Sequence, residues 1–254
     1  MHISKRLSLA ASAALITLSM GAAASAQETT IKIGTEGAYP PFNNLTSSGE
    51  LEGFDIDITK ALCEEMKAKC EFVTQDWDGI IPALQANRFD AIVASMSITD
   101  ERKQQVDFTN PYYSNSLVFV AQKDSDFAPA SADGKAIGVQ QGTIAAEFAE
   151  KTYPDADVKA YPTQVEAWAD LESGRVDAVL GDFGVQYGFV NGDDGSCCEF
   201  KGEAVSSDDK IGIAVRKGDT ALAEKFNTAL EAIRANGKYK EVNDKYFPFD
   251  VFGG

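Results

Sequence analysis

Histidine is almost missing from this sequence. Its 254 residues hold one, His2, and that one lies in a stretch with the features of a removable leader. Without histidine the commonest general base is gone, as are Ser–His and Cys–His nucleophile pairs and imidazole zinc sites. Lysine and arginine are also scarce, 23 against 39 aspartates and glutamates, for a net charge of −16. Surfaces that grip nucleic acid or anionic lipid are basic, so neither partner is expected. Long apolar runs are confined to residues 7–20. No later stretch approaches the roughly 20 residues of a membrane span. The remaining composition, 44% hydrophobic and 24% charged, is that of an ordinary globular chain able to build one or two real cores.

Lys5 and Arg6 precede the apolar run, and Ala24-Ser25-Ala26 supplies a small-residue cleavage pattern. Residues 1–26 are therefore expected to be a signal peptide, with Gln27 as the new N-terminus and the periplasm as destination. A membrane anchor is the competing reading, and no cysteine stands at the cleavage point to carry a lipid. Cleavage removes Lys5, Arg6 and His2, leaving 21 basic and 39 acidic residues, a net charge of −18, and no histidine. Binding replaces acid–base or metal chemistry as the leading class, with no metal or cofactor expected.

Cysteines number four. Cys63 and Cys70 are seven apart, about 10 Å on one continuous helix and too far for a disulfide. A bridge requires the helix to end near residues 67–69 and the chain to fold back into a strand at Glu71. An exported chain favours that bridge, with two reduced structural cysteines as the alternative. Cys197-Cys198 is a vicinal pair after the polar stretch of residues 191–196. It can close a strained ring, pair between molecules or stay free; a surface-loop bridge without a binding role is expected. Asp193 and Asp194 lack the spaced ligand series of a calcium loop and read as a solvated turn.

Short β-branched runs alternate with amphipathic stretches, the pattern of a mostly parallel α/β protein. Residues 30–35 read as the first strand, followed by a loop over residues 36–42. Ile58, Leu62 and Met66 form one buried helical stripe beginning at Asp55. A second helix is expected over residues 79–86, with Ile80, Ile81 and Leu84 inward, then a strand over residues 91–94. The segment Leu84-Gln85-Ala86-Asn87-Arg88-Phe89-Asp90-Ala91 is echoed by Leu171-Glu172-Ser173-Gly174-Arg175-Val176-Asp177-Ala178. Each copy reads as a helix, a tight turn and a strand, which implies a pair of similarly built lobes. Residues 117–121 and 212–215 are apolar runs taken as two crossovers. A C-terminal helix over residues 220–235, closed by Asn236-Gly237, then returns to the first lobe. The expected organisation is lobe 1 over residues 27–115, lobe 2 over 116–210 and a return segment over 211–254, with a cleft between the lobes.

Gly53-Phe54-Asp55-Ile56-Asp57-Ile58, Trp77-Asp78-Gly79-Ile80-Ile81-Pro82, Phe89-Asp90-Ala91-Ile92, Ser97-Ile98-Thr99-Asp100-Glu101-Arg102 and Val215-Arg216-Lys217-Gly218-Asp219 occur in that order. Together with the Cys63/Cys70 pair they resemble the polar amino acid-binding proteins of ABC importers, closest to the lysine/arginine/ornithine, histidine and opine binders. The resemblance spans nearly the whole chain after residue 26. It implies a type II periplasmic-binding-protein fold whose two lobes close on a free amino acid and present the closed form to a membrane permease. By the same resemblance Arg102 takes the ligand α-carboxylate and Asp182 its α-ammonium. Ser95 and Ser97 lie beside the head group, and Thr143 and Ile144 open the lobe 2 helix that receives the carboxylate. Trp77 and Tyr39 wall the slot, and Glu36 lies near the far end of the side chain. Three positions depart from the usual pattern. Ala94 stands where serine is frequent, Gln140 replaces an aliphatic residue, and Ile144-Ala145 replaces a more polar pair.

The charged candidates Arg102, Asp182 and Glu36 sum to −1, the complement of a ligand of charge +1 such as arginine, lysine or ornithine. For Arg102 the competing role is a helix-surface ion pair with Asp100 or Glu101; for Asp182 it is a helix cap. Tyr112-Tyr113 is read as structural packing near the hinge. A neutral polar amino acid, histidine or an opine is the alternative ligand. A dehydratase on the same fold is the enzymatic alternative, with Glu36 or Asp182 as its acid–base group. A monomer is expected, and a chemoreceptor or sensor kinase is a second partner compatible with the same cleft.

Overall fold

The computed structural model describes residues 29–253; the expected signal peptide lies outside them. The chain opens with β1 (Thr30–Thr35), passes through a small antiparallel ribbon of β2 (Ala38–Tyr39), β3 (Asn43–Leu45) and β4 (Leu51–Glu52), and enters α1 (Phe54–Glu65). Ile58 and Leu62 of α1 are fully buried, as their spacing requires, while Met66 is the C-cap residue. Gly53 precedes the helix at φ 126° with the Phe42 carbonyl oxygen only 2.2 Å from where a Cβ would stand. Only glycine meets both demands. The helix stops at Glu65, Lys67 turns at φ 52°, and the chain reverses into β5 (Lys69–Thr74). That reversal brings Cys63 and Cys70 to a Cα separation of 6.1 Å in a disulfide.

A short 3₁₀ turn over Trp77–Gly79 then leads into α2 (Ile80–Gln85), the helix expected over residues 79–86. The next strand is also shorter than expected: β6 covers Ala91–Ile92. After it come α3 (Asp100–Gln105), β7 (Val106–Phe108) and β8 (Tyr113–Gln122). The second half holds β9 (Ala136–Gln140), α4 (Ile144–Thr152), β10 (Asp157–Tyr161), α5 (Gln164–Glu172), β11 (Ala178–Asp182), α6 (Phe183–Asn191) and β12 (Cys198–Ile211). The chain ends through β13 (Ala214–Arg216), α7 (Thr220–Ala235) and α8 (Lys238–Tyr246).

Two five-stranded sheets result, ordered β5-β1-β6-β13-β7 and β10-β9-β11-β8-β12. In both, the first three strands run parallel, the fourth runs against them, and the fifth, antiparallel to the fourth, runs with the first three again. The sequence echo is a shared joint. Asn87 (φ 59°) and Gly174 (φ 72°) occupy the same left-handed turn. Three residues later, the Asp90 carboxylate accepts the Lys32 backbone N–H at 2.9 Å, and Asp177 accepts that of Ala136 at 2.7 Å. Each aspartate also donates its own N–H to the same residue's carbonyl. The motif therefore pins each lobe's third parallel strand to its first.

Residues 117–121 are not a crossover. They form the middle of β8, paired with β11 and β12 inside the second sheet. The lobes are joined instead where β7 and β13 pair through Ala214 and Phe108 in one sheet, and β8 and β12 pair through Ile211 and Tyr113 in the other. Behind this joint, Tyr112 donates its hydroxyl to Asp55 at 2.6 Å. The terminal segment braces both lobes, with Phe247 against Phe42 and Phe249 against Phe183. Cys197 and Cys198 form a vicinal disulfide. It is not wholly in a surface loop, because Cys198 is buried at the start of β12.

Candidate ligand-binding site

All ten residues expected at the site line one cleft between the lobes, joined by Ala94. Lobe 1 supplies six of them. Glu36 follows β1, Tyr39 lies on β2, Trp77 begins the 3₁₀ turn, Ser95 and Ser97 follow β6, and Arg102 lies in the first turn of α3. Lobe 2 supplies four. Gln140 ends β9, Thr143 caps α4, Ile144 begins it, and Asp182 ends β11.

Arg102 is half-buried and makes no ion pair with Asp100 or Glu101; Asp100 pairs with Lys103 instead, at 3.2 Å. Its guanidinium donates to the Ser97 carbonyl and, across the cleft, to the Gly142 carbonyl, each at 3.0 Å. It also lies 5.2 Å from the centroid of the Trp77 ring, within cation–π range. The Trp77 indole N–H donates to the same Gly142 oxygen at 3.1 Å. Nearby, Thr143 accepts the Ala146 N–H and donates to the Gln140 carbonyl, which fixes the start of α4. The first-turn N–H groups of such a helix have no intrahelical acceptor and suit an anion. Arg102 and the α4 N-terminus thus form the cationic end of the cavity.

Asp182 is buried at the N-terminus of α6 but makes no capping hydrogen bond there, so the helix-cap role is not observed. Burial pushes its carboxyl up to about 7, reinforced by Asp209 and opposed by hydrogen bonding from Asn115 and Tyr39 and by Arg102. Ser95, at φ 51°, donates its hydroxyl to buried Asp55 at 3.0 Å, and Ser97 donates to Asp209 at 3.0 Å. With their protons committed, both serine oxygens remain acceptors, the polarity an ammonium requires. Glu36 occupies the other acidic end. Burial raises its carboxyl to about 7, against a hydrogen bond from Gln140 and together with Asp76 and Asp78.

Residues 31–249 match the bacterial extracellular solute-binding proteins, family 3. The chain belongs to that family. It is 46% identical to an L-arginine-binding protein of Pseudomonas aeruginosa, over 98% of this chain and 99% of that protein. It is 39% identical to the ABC transporter arginine-binding protein 1 of Escherichia coli, over 96% and 99% of the two chains. An ancestral arginine-binding protein solved with arginine bound superposes at a TM-score of 0.81, with 40% identity over 87% of this chain and 99% of that one. The two-lobed periplasmic-binding-protein fold is thereby shown, and these relatives are solute-binding transport proteins.

Three features of this family member's cleft were not foreseen. Asn115 and Asp209 lie beside Asp182, where Asn115 donates to Asp209 at 3.0 Å. They sit on β8 and on β12, an edge strand with register shifts near Ser206 and Asp209. The polar run of residues 206–210 carries no strand alternation, so nothing local marks Asp209. At the rim, Gln141 of lobe 2 donates its side-chain amide to Asp78 of lobe 1. The third is the Gly142 carbonyl, shared by Arg102 and Trp77. A backbone acceptor leaves no trace in side-chain chemistry.

Proposed function

We propose that this chain is the periplasmic receptor of an ABC amino-acid importer, closing on a free cationic L-amino acid, arginine foremost, and delivering it to the membrane permease. The observation that carries the reading is the charge layout of one cleft. Arg102 reaches the start of α4 through the Gly142 carbonyl and is acted on by Asp182, whereas the charges acting on Glu36 are Asp76 and Asp78, and all three residues line the cleft with Trp77. A carboxylate, an α-ammonium and a side-chain cation each meet their complement in that order. The P. aeruginosa and E. coli relatives, both named for arginine binding, support the same choice.

In this reading Arg102 grips the α-carboxylate in the forked geometry only a guanidinium offers. Asp182 and the Ser95 and Ser97 oxygens hold the ammonium. Glu36 holds the side-chain cation, and Tyr39, Trp77, Gln140, Thr143 and Ile144 shape the slot. Because Gly142, Gln140 and Asp182 reach the ligand from the second lobe, closure adds contacts that the open form lacks, and the ligand shifts the population toward the closed form. The lobes run over residues 27–115, 116–210 and 211–254, behind a signal peptide of residues 1–26. The chain is read here as a receptor rather than an enzyme because the relatives that match it over nearly its whole length are named as binding proteins.

The test is a thermal-shift panel on protein stripped of co-purified ligand by unfolding and refolding. A ligand at 100 times its Kd adds about 2.7 kcal/mol. Shifts from arginine, lysine or ornithine support the reading. Shifts confined to neutral amino acids, histidine or an opine would overturn the ligand class, and turnover of a small carboxylate would overturn the receptor.

A further inference from the structure

We infer that Gln140 is a positioning residue through which lobe closure switches on side-chain charge selection by Glu36. The inference rests on the proposed receptor reading and names the device that makes its acidic end selective.

Gln140 is 1% exposed, at the end of β9 in lobe 2, and its amide crosses the cleft to a glutamate of lobe 1. Its Nε2 donates to Glu36 Oε1 at 2.7 Å and to the Pro162 carbonyl at 3.2 Å. The orientation is dictated by its neighbours. Both are acceptors, so the flipped amide would set its oxygen against two oxygens, while the observed one uses both N–H groups. One Glu36 oxygen is therefore engaged from the far lobe. The other remains for a ligand cation.

Glu36 draws no cation from its own lobe. The charged groups acting on it there are Asp76 and Asp78, both repulsive, and the Tyr39 hydroxyl lies close enough to feel its charge. The Gln140 amide favours the ionised carboxylate and opposes the burial that favours the protonated one. In the open form Glu36 lacks this donor from the far lobe and discriminates weakly. On closure it gains one neutral donor, and its ionised form is then satisfied only by a cationic side chain. A neutral side chain has to drive Glu36 to take up a proton. The neighbouring Gln141 also bridges the cleft, to Asp78, but at the exposed rim. It supplies the control for closure without selection.

The experiment compares Gln140→Leu with Gln141→Ala, in the wild-type and Glu36→Gln backgrounds, by calorimetric titration with L-arginine and with L-glutamine between pH 5 and 8.5. Gln140→Leu should weaken arginine by about tenfold, in line with a lost hydrogen bond to a charged group. It should weaken glutamine less and move the pH midpoint of arginine binding upward. Its effect on the arginine-to-glutamine ratio should vanish in Glu36→Gln. Gln141→Ala should weaken both ligands alike with no shift in midpoint. An unchanged ratio and midpoint in Gln140→Leu, or a ratio change that persists without Glu36, overturns the inference. If wild-type protein binds no arginine at any pH, it is the receptor reading that fails instead.

Discussion

The two lobes are built on one plan and used for two purposes. Each sheet has one antiparallel strand, the fourth of five, among four that run the same way, and each carries the same left-handed turn and the same aspartate pin. The site-facing loops share nothing comparable. Lobe 1 presents the side chains proposed to read the ligand on unlike segments: Glu36 just after β1, Trp77 on a 3₁₀ turn and Arg102 in the first turn of α3. Lobe 2 presents a helix start, one acid and one amide, groups that complete a site already half drawn. Equivalent frames thus free the loops to diverge, because the loops contribute little to holding the frame together.

The sharpest way to break this comparison is to remove a reader from lobe 1. Arg102→Ala deletes the cationic end of the cavity and the Trp77 and Gly142 contacts with it. Loss of a buried charge partner costs about 2–5 kcal/mol, so affinity for every amino acid should fall about 30-fold or more in a calorimetric titration. Next come the two acids. Glu36→Gln should cost a cationic ligand about 2 kcal/mol and leave a neutral one nearly unaffected. Asp182→Asn, on lobe 2, should weaken both kinds alike. Equal losses in the two variants would erase the division between reading and completing.

The pH dependence follows from the same acids. Glu36 and Asp182 are both raised to about 7, so each holds a proton in the folded, unliganded protein as pH falls below that value. A cation binds the ionised forms and must expel those protons. Arginine affinity should therefore rise between pH 5.5 and 8 and level off above, as read from titrations along that range. Affinity that rises on acidification would reverse the sign and count against both acids.

The smallest effect tests the frame itself. Gly174→Ala and Asn87→Ala both place alanine in a left-handed turn, at φ 72° and 59°, with nothing within 4 Å of the Gly174 position. Each should cost about 1 kcal/mol, a fall in Tm of about 2–4 °C, with ligand selectivity unchanged. Losses differing several-fold between the turns would end their equivalence.

The frame was legible because it repeats a chemical sentence twice. The Leu…Arg-x-Asp-Ala echo carries its own explanation once Asp90 and Asp177 are seen receiving a strand N–H. The cavity residues were legible through family resemblance rather than local pattern, since Glu36 and Asp182 are two acids among 39. What stayed hidden depends on distant pairing. Asp209 reaches Ser97 and Asn115 only because β12 shifts register along β8. The run at residues 117–121 read as a crossover because an apolar strand buried on both faces looks the same whether it joins two lobes or lies inside one.

The central claim, a closed cleft that selects a cationic amino acid by paired charges, meets its most direct test in one titration. Ligand-stripped protein would be titrated with L-arginine and with L-glutamine at pH 6.5 in two buffers of different ionisation enthalpy. The account predicts one arginine per chain, binding well over tenfold tighter than glutamine, with protons released to the buffer. Equal affinity for the two ligands, or arginine bound with no proton release, would contradict it.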